Sequence, residues 1–389
     1  MVEPHLVDAL MSLDRDDVLS VSLDTDPTRP EHQGPSPAFR IWARTELRRL
    51  IDTLPASHRR TVADLAGRVL DRLRRRIPGR GIAIFATDGF WQEHVLPVPV
   101  PSRVRFGRPD LMPLLWAIDE YEPYAILAVD REHARVVLAH LGRATVVENT
   151  ALHLDTRDWR FKNGRPPTFA RRMGAAASRG VQRDAFDARQ EEWVRRFWRG
   201  VAESAADFLR SRRIERLILG GPEEAAHAVR DLLPEWARER VVALVPLPSR
   251  ASEAEIAART LPVAEHHERQ LEQALVQDVL ERVRAEGNAV VGRAATLQAL
   301  QQGLVQTLVA DVGLAGPVGQ CRRCGHVRAV EGDRCPVCGG PVEGQDIAQL
   351  LPALTRRAGA RLELVTGPAA ELLRPHEGIG ALLRFDPTA

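Results

Sequence analysis

The chain has 389 residues, 44% of them hydrophobic and 27% charged, with a formal net charge of +2. That length calls for two or three domains rather than one core, and the composition is that of a globular protein, not a disordered or fibrous one. Near-balanced charge leaves any attraction to nucleic acid to local patches, and no run approaches the ~18–20 apolar residues of a membrane span.

In chain order, the acidic start MVEPHLVDALMSLDRDDVLS lacks a signal-peptide pattern. VLSVSLDTD (18–26) predicts a strand, and the Pro-rich stretch 27–37 a loop. Residues 39–76 predict one or two helices ending in the basic run DRLRRR (71–76), and IAIFATD (82–88) a buried strand. PDLMPLLWAIDEY (109–121) is helical, closing an α+β domain over 1–122.

AILAVD (125–130) and ARVVLAHL (134–141) predict a hairpin turning at EHAR. A basic loop follows over about 155–186, and from about Asp187 an amphipathic helix begins. Its predicted buried stripe is Trp193, Phe197, Val201, Ala205 and Phe208. RLILGG (216–221), a helix over 223–233 and VVALVP (241–246) complete an α/β domain over 123–262.

A polar helix over 253–287, broken at Pro262, leads into a third domain over 263–389. There a helix (295–303), a strand (306–312), a helix (346–359) and strands at 360–367 and 379–385 alternate, the helices stopped by glycine. A miniature module at 317–343 interrupts them.

That module holds all four cysteines, as Cys321-x2-Cys324 and Cys335-x2-Cys338. A two-residue gap lets both thiolates of a knuckle reach one tetrahedral cation at ~2.3 Å. Four such ligands suit a structural Zn2+ with no open position for water, and the alternative is a pair of disulfides. With no cysteine elsewhere to staple the fold, a cytoplasmic protein is expected.

Eight basic residues lie between Arg157 and Arg183 against one acid, Asp158, including Arg165, Arg171, Arg172, Arg179 and Arg183. Trp159, Phe161 and Phe169 interleave with them, a combination suited to RNA phosphates and bases. The alternative is a solvated loop. Lys162 is the only lysine in the chain, and that arginine bias fits a GC-rich genome as well as it fits RNA binding.

The helix RRFWRGVAESAADFL after an Arg-Gly-x-Gln segment, together with RLILGGPEEA, VVGRAATLQALQQGLVQTLVADV and HEGIGALLRF, resembles archaeal and eukaryotic class-1 peptide chain release factors. The resemblance is to their bacterial homologues, with Pelota-like and Balon-like relatives. It implies an RNase H-like α/β middle domain and an α/β C-terminal domain with an inserted zinc ribbon. It also implies that Gly180 and Gln182 match the first glycine and the glutamine of the family's Gly-Gly-Gln, with Val181 in place of the second glycine. The function so implied is entry into the ribosomal A site as a tRNA mimic and promotion of peptidyl-tRNA hydrolysis, in termination or ribosome rescue. The other reading is a non-enzymatic hibernation factor, favoured by the stiff Val181 and by the lack of the family's Asn-Ile-Lys-Ser stretch. The partners implied are rRNA and peptidyl-tRNA, with an elongation-factor-like GTPase as a candidate and no DNA expected.

Overall fold

The computed structural model describes residues 4–385 except 12, 14, 152–174, 249 and 331; for 4–6, 8 and 175–189 it describes the backbone alone. Two compact units emerge, one from 1–122 together with 266–389, the other from 123–265.

The first unit begins with α1 (Pro4–Met11), β1 (Val18–Asp24), α2 (Ala38–Thr53) and α3 (Ala56–Arg74), continuing through β2 (Gly81–Thr87), β3 (Phe90–Leu96), β4 (Arg103–Gly107) and α4 (Met112–Glu120). Its sheet has the order β3-β2-β1-β4, antiparallel throughout. The expected helical stretch is two helices, because Pro55 biases Leu54 away from helical torsions (ψ 150°) and opens the second helix. Phe39, Ala43 and Leu47 on one helix, and Val62, Leu65, Val69 and Leu73 on the other, cover the β1–β2 face.

The middle unit contains β5 (Tyr124–Val129), β6 (His133–His140), β7 (Arg143–Ala151), α5 (Ala175–Arg212), β8 (Leu217–Gly220), α6 (Glu223–Leu232), the single turn α7 (Glu235–Arg238) and β9 (Val241–Val245). The hairpin turn falls at Asp130–Glu132, earlier than expected, because the Asp130 carboxylate accepts from the N–H groups of Glu132 (2.7 Å) and His133 (2.6 Å). Sheet order is β7-β6-β5-β8-β9, with β5, β8 and β9 parallel and β6 and β7 antiparallel. In order of appearance this is 3-2-1-4-5, the RNase H-like arrangement. α5 and α6 cover one face, and the start of α8 (Glu253–Arg284) packs on the other through Ile256 and Ala264.

α8 is not broken at Pro262. Proline removes one intrahelical donor and orphans the carbonyl four residues back; here that residue is the exposed Ala258, whose carbonyl water can satisfy. Beyond it come β10 (Ala289–Val291), α9 (Arg293–Gln301), β11 (Val305–Asp311), β12 (Pro317–Cys321), β13 (Val327–Arg328), β14 (Val342–Asp346), α10 (Ile347–Ala358), β15 (Arg361–Val365), α11 (Gly367–Leu373) and β16 (Ile379–Leu383). β10-β16-β11-β15 form one sheet and β13-β12-β14 a separate ribbon. Met112 of α4 belongs to the core beneath this larger sheet, with Leu115 and Trp116 packed against it.

Asp119 of α4 accepts a hydrogen bond from the N–H of Leu364 on β15 at 3.1 Å. Burial, then the nearby charge of Glu363, pushes its carboxyl from 3.8 up to about 8. A folded-state pKa above the unfolded one means the folded chain holds a proton that the unfolded chain releases. Stability from this group is therefore complete below about pH 4 and is lost as pH rises through about 8. Asp119→Asn keeps the acceptor and removes the titration, so its melting temperature at about pH 8.5 should exceed wild type by about 5 °C or more. Melts across that range that fall equally in both proteins would refute this.

Candidate functional site

Helix α5 begins at Ala175, not at Asp187, so Arg179, Gly180, Val181, Gln182 and Arg183 sit on helical backbone and not on a loop. Ala175, Ala176 and Ala177 have the strongest helix propensity, enough to offset one glycine at ~1 kcal/mol. Arg165, Arg171 and Arg172 lie outside the described residues, as does the basic stretch 152–174.

The far end of α5 is firmly anchored. Val194, Trp198, Val201, Ala202, Ala205, Ala206 and Leu209 are buried against β5, β6, β8 and α6. The predicted stripe is thus displaced by about one residue, with Phe197 and Phe208 partly buried at its margin. The indole N–H of Trp198 donates to the carbonyl of Asp130 at 2.8 Å, tying helix to hairpin turn. The helix stops where Arg213 turns left-handed (φ 54°) and the N–H of Ile214 returns to the carbonyl of Leu209 at 2.9 Å. Val194 is the first buried residue among those α5 side chains that are described. Gln182 precedes it along the helix by ~18 Å at 1.5 Å per residue.

Cys321, Cys324, Cys335 and Cys338 converge as expected, their sulfurs all within 4.8 Å of one another. Cys321 and Cys338 approach to 3.5 Å, Cys324 and Cys335 to 3.6 Å, and none is in a disulfide. Sulfurs at ~2.3 Å around one tetrahedral cation would lie ~3.8 Å apart, so the set fits a single metal ion. Each knuckle is built alike. The N–H of Gly325 returns to the Cys321 carbonyl and that of Gly339 to the Cys335 carbonyl, both at 2.9 Å. These glycines take φ 72° and 65°, torsions that a side chain would strain. N–H groups of Arg323 and Val337 point at the sulfurs of Cys321 and Cys335, each at 3.4 Å.

Electrostatics also call for a cation. The Cys324 N–H leads in holding the Cys321 thiol down at about 6. Cys324 accepts from the His326 N–H, yet the sulfurs of Cys338, Cys321 and Cys335 push it up to about 12. Four thiolates at this spacing need a positive charge among them. A residue that sequence reasoning missed is Gln301 at the end of α9. Its amide donates to the Val327 carbonyl and accepts from the Val327 N–H, both at 2.7 Å, pinning the ribbon's short strand.

The middle unit thus combines an RNase H-like sheet with the long helix α5, and the other unit carries the four-cysteine ribbon. Residues 109–265, which span the middle unit, match the profile of bacterial archaeo-eukaryotic release factor family 10. Comparison with curated proteins gives no match. Among solved structures, the archaeal translation termination factor aRF1 is similar at 17% identity over 98% of this chain and 96% of its own, with a TM-score of 0.27. Archaeoglobus fulgidus Pelota is similar at 13% identity over 81% and 82%, with a TM-score of 0.34. Archaeal Pelota, ribosome-bound with ABCE1, is similar at 13% identity over 98% and 94%, with a TM-score of 0.44. Among the described residues no helix is long and apolar enough to cross a membrane.

Proposed function

We propose that the protein enters the ribosomal A site as a tRNA mimic and promotes hydrolysis of peptidyl-tRNA, in termination or in rescue of stalled ribosomes. The observation that carries this reading is the anchored helix α5, which bears Gly180 and Gln182 far along its length from the core of a release-factor-type unit. In the proposed reaction Gln182 orients a water against the ester carbonyl. The water oxygen bonds to the carbonyl carbon and stays on the peptide as its new carboxyl group, while the ester C–O bond breaks and the tRNA 3′-hydroxyl leaves with a proton from that water. In this reading Arg165, Arg171, Arg172, Arg179 and Arg183 hold RNA phosphates. The ribbon's role is structural: four thiolates select Zn2+ and leave no open coordination position. The proposed setting is the cytoplasm, with an elongation-factor-like GTPase as partner.

A second reading is favoured by Val181 and by the helical backbone through it. A glycine pair can unwind to let RNA approach closely, whereas a β-branched residue within a helix cannot. On that reading the protein occupies the peptidyl transferase centre without chemistry, as a hibernation factor. Ribosomes carrying labelled peptidyl-tRNA separate the two. Release by wild type should drop about 100-fold in Gln182→Ala, the cost of losing one positioning contact. Tight binding with no release by either protein would overturn hydrolysis and leave occlusion.

A further inference from the structure

The basic run at the end of α3 does not stand alone. The α2–α3 link folds the start of α2 back beside the end of α3, where Arg40 donates to the carbonyl of Arg74 at 3.2 Å. That closure gathers Arg40, Arg44, Arg74, Arg75 and Arg76 at one end of the hairpin. Arg44, Arg75 and Arg76 are exposed, and among the described residues no carboxylate is paired with them. Asp71 reaches Arg74 at 3.3 Å, but with side chains 72% and 74% exposed this pair offsets little of the charge. The carbonyl end of α3 makes such crowding tolerable, since cations there gain about 0.3–1 kcal/mol each.

The chemistry around the cluster narrows what it can bind. A membrane surface needs an amphipathic helix with a free apolar face, yet Phe39, Ala43 and Leu47 of α2 are turned into the sheet. Ile41 is the one large apolar side chain left exposed on α2 among the described residues. A protein interface centres on aromatic or aliphatic anchors, and this cluster presents none beyond Ile41. Residues 38–76 contain no asparagine or glutamine to read base edges. Forked guanidiniums without acid partners match phosphate oxygens.

We propose that Arg40, Arg44, Arg75 and Arg76 form a phosphate-backbone site for RNA, independent of base sequence and separate from the arm that carries Gln182. RNA contact at this end of the hairpin adds a second anchor to the ribosome-directed reading, but it does not require hydrolysis.

The test uses the full chain and a fluorescein-labelled 20-base-pair RNA duplex, with anisotropy read at about 50–200 mM KCl. R44Q/R75Q/R76Q keeps the side-chain stems and should weaken binding at least tenfold, and the log–log salt slope should fall by about 2–3, near one per lost phosphate contact. R48Q/R60Q, nearer the α2–α3 link, should bind within about twofold of wild type. The same differences should persist in an R171Q/R172Q background, which removes the contribution of the other basic stretch. A triple variant that binds like wild type, or an equal loss in R48Q/R60Q, overturns the site. So does a flat salt dependence of the wild type, a measurement independent of any variant's folding. Wild type that binds phosphatidylglycerol vesicles but not the duplex overturns it in favour of a membrane. Because Gln182→Ala should retain duplex binding while losing release, the two proposals fail separately.

Discussion

Replacing Cys335 by serine should yield protein that carries almost no metal and whose ribbon, Pro317–Asp346, is cut rapidly by protease, while the wild type carries one equivalent of zinc. The ribbon has almost no core of its own. Among its described residues only Val318, Val327, Cys321 and Cys335 combine burial with an apolar or sulfur side chain. Full burial of a valine contributes about 1.5–3 kcal/mol, whereas fixing each backbone residue costs about 1–2 kcal/mol. Two valines cannot order some thirty residues. A tetrathiolate zinc site contributes about 10–16 kcal/mol, which would supply the stabilisation that the ribbon's own side chains lack. Chelation of the wild type should reproduce the variant's protease sensitivity. Metal content unchanged by the substitution, or a ribbon that resists protease after chelation, would sink this account.

The ribbon was legible in the sequence because its chemistry is local: two knuckles, each a Cys-x-x-Cys followed within a residue or two by a glycine, fix their own geometry. The elements with strong burial contrast were legible for a related reason. β1, β2, β5 and β8 are buried along nearly their whole length and read as short apolar runs. Strands that escaped lack that contrast. β7 is almost entirely exposed, and its only local signal is the turn Leu141-Gly142, where both residues take positive φ as a two-residue hairpin requires. β3 is half-buried along nearly all its length, and β10 has three residues.

The start of α5 escaped differently. Gly174 and Gly180 read as loop signals, whereas propensity summed over the alanines between them favours helix. The roles proposed for Gly180 and Gln182 rest on resemblance alone, since nothing in their local pattern distinguishes them. The contacts that join the two ends of the chain into one unit left no sequence signal at all. Gln349 donating to the carbonyl of Arg108 at 2.6 Å is separated from it by 241 positions.

Arg103 makes the costliest of these contacts, and Arg103→Met should lower stability by about 3–5 kcal/mol. Its Nε lies 2.9 Å from Asp110 Oδ2, and the two side chains are 8% and 2% exposed. The remaining guanidinium nitrogens donate to the carbonyls of Val312 (2.6 Å) and Leu314 (3.3 Å), in the segment that follows β11. One side chain therefore holds β4 to the chain more than 200 positions away and neutralises a buried carboxylate. Burial pushes the Asp110 carboxyl up, while Arg103 and then Arg105 pull it down. Burial already prevails, and without Arg103 less opposes it, so the hold of the folded chain on the Asp110 proton should strengthen. Its folded pKa then lies still further above the unfolded one, and the variant should lose more stability than the wild type as pH rises from about 5 to 8. Arg103→Met/Asp110→Asn removes the orphaned charge and should recover part of the loss, making the pair strongly non-additive. Chemical denaturation of the four proteins at two pH values reads all of this. A single variant within about 1 kcal/mol of wild type, or additive losses in the double, would mean that the pair does not join β4 to the segment after β11.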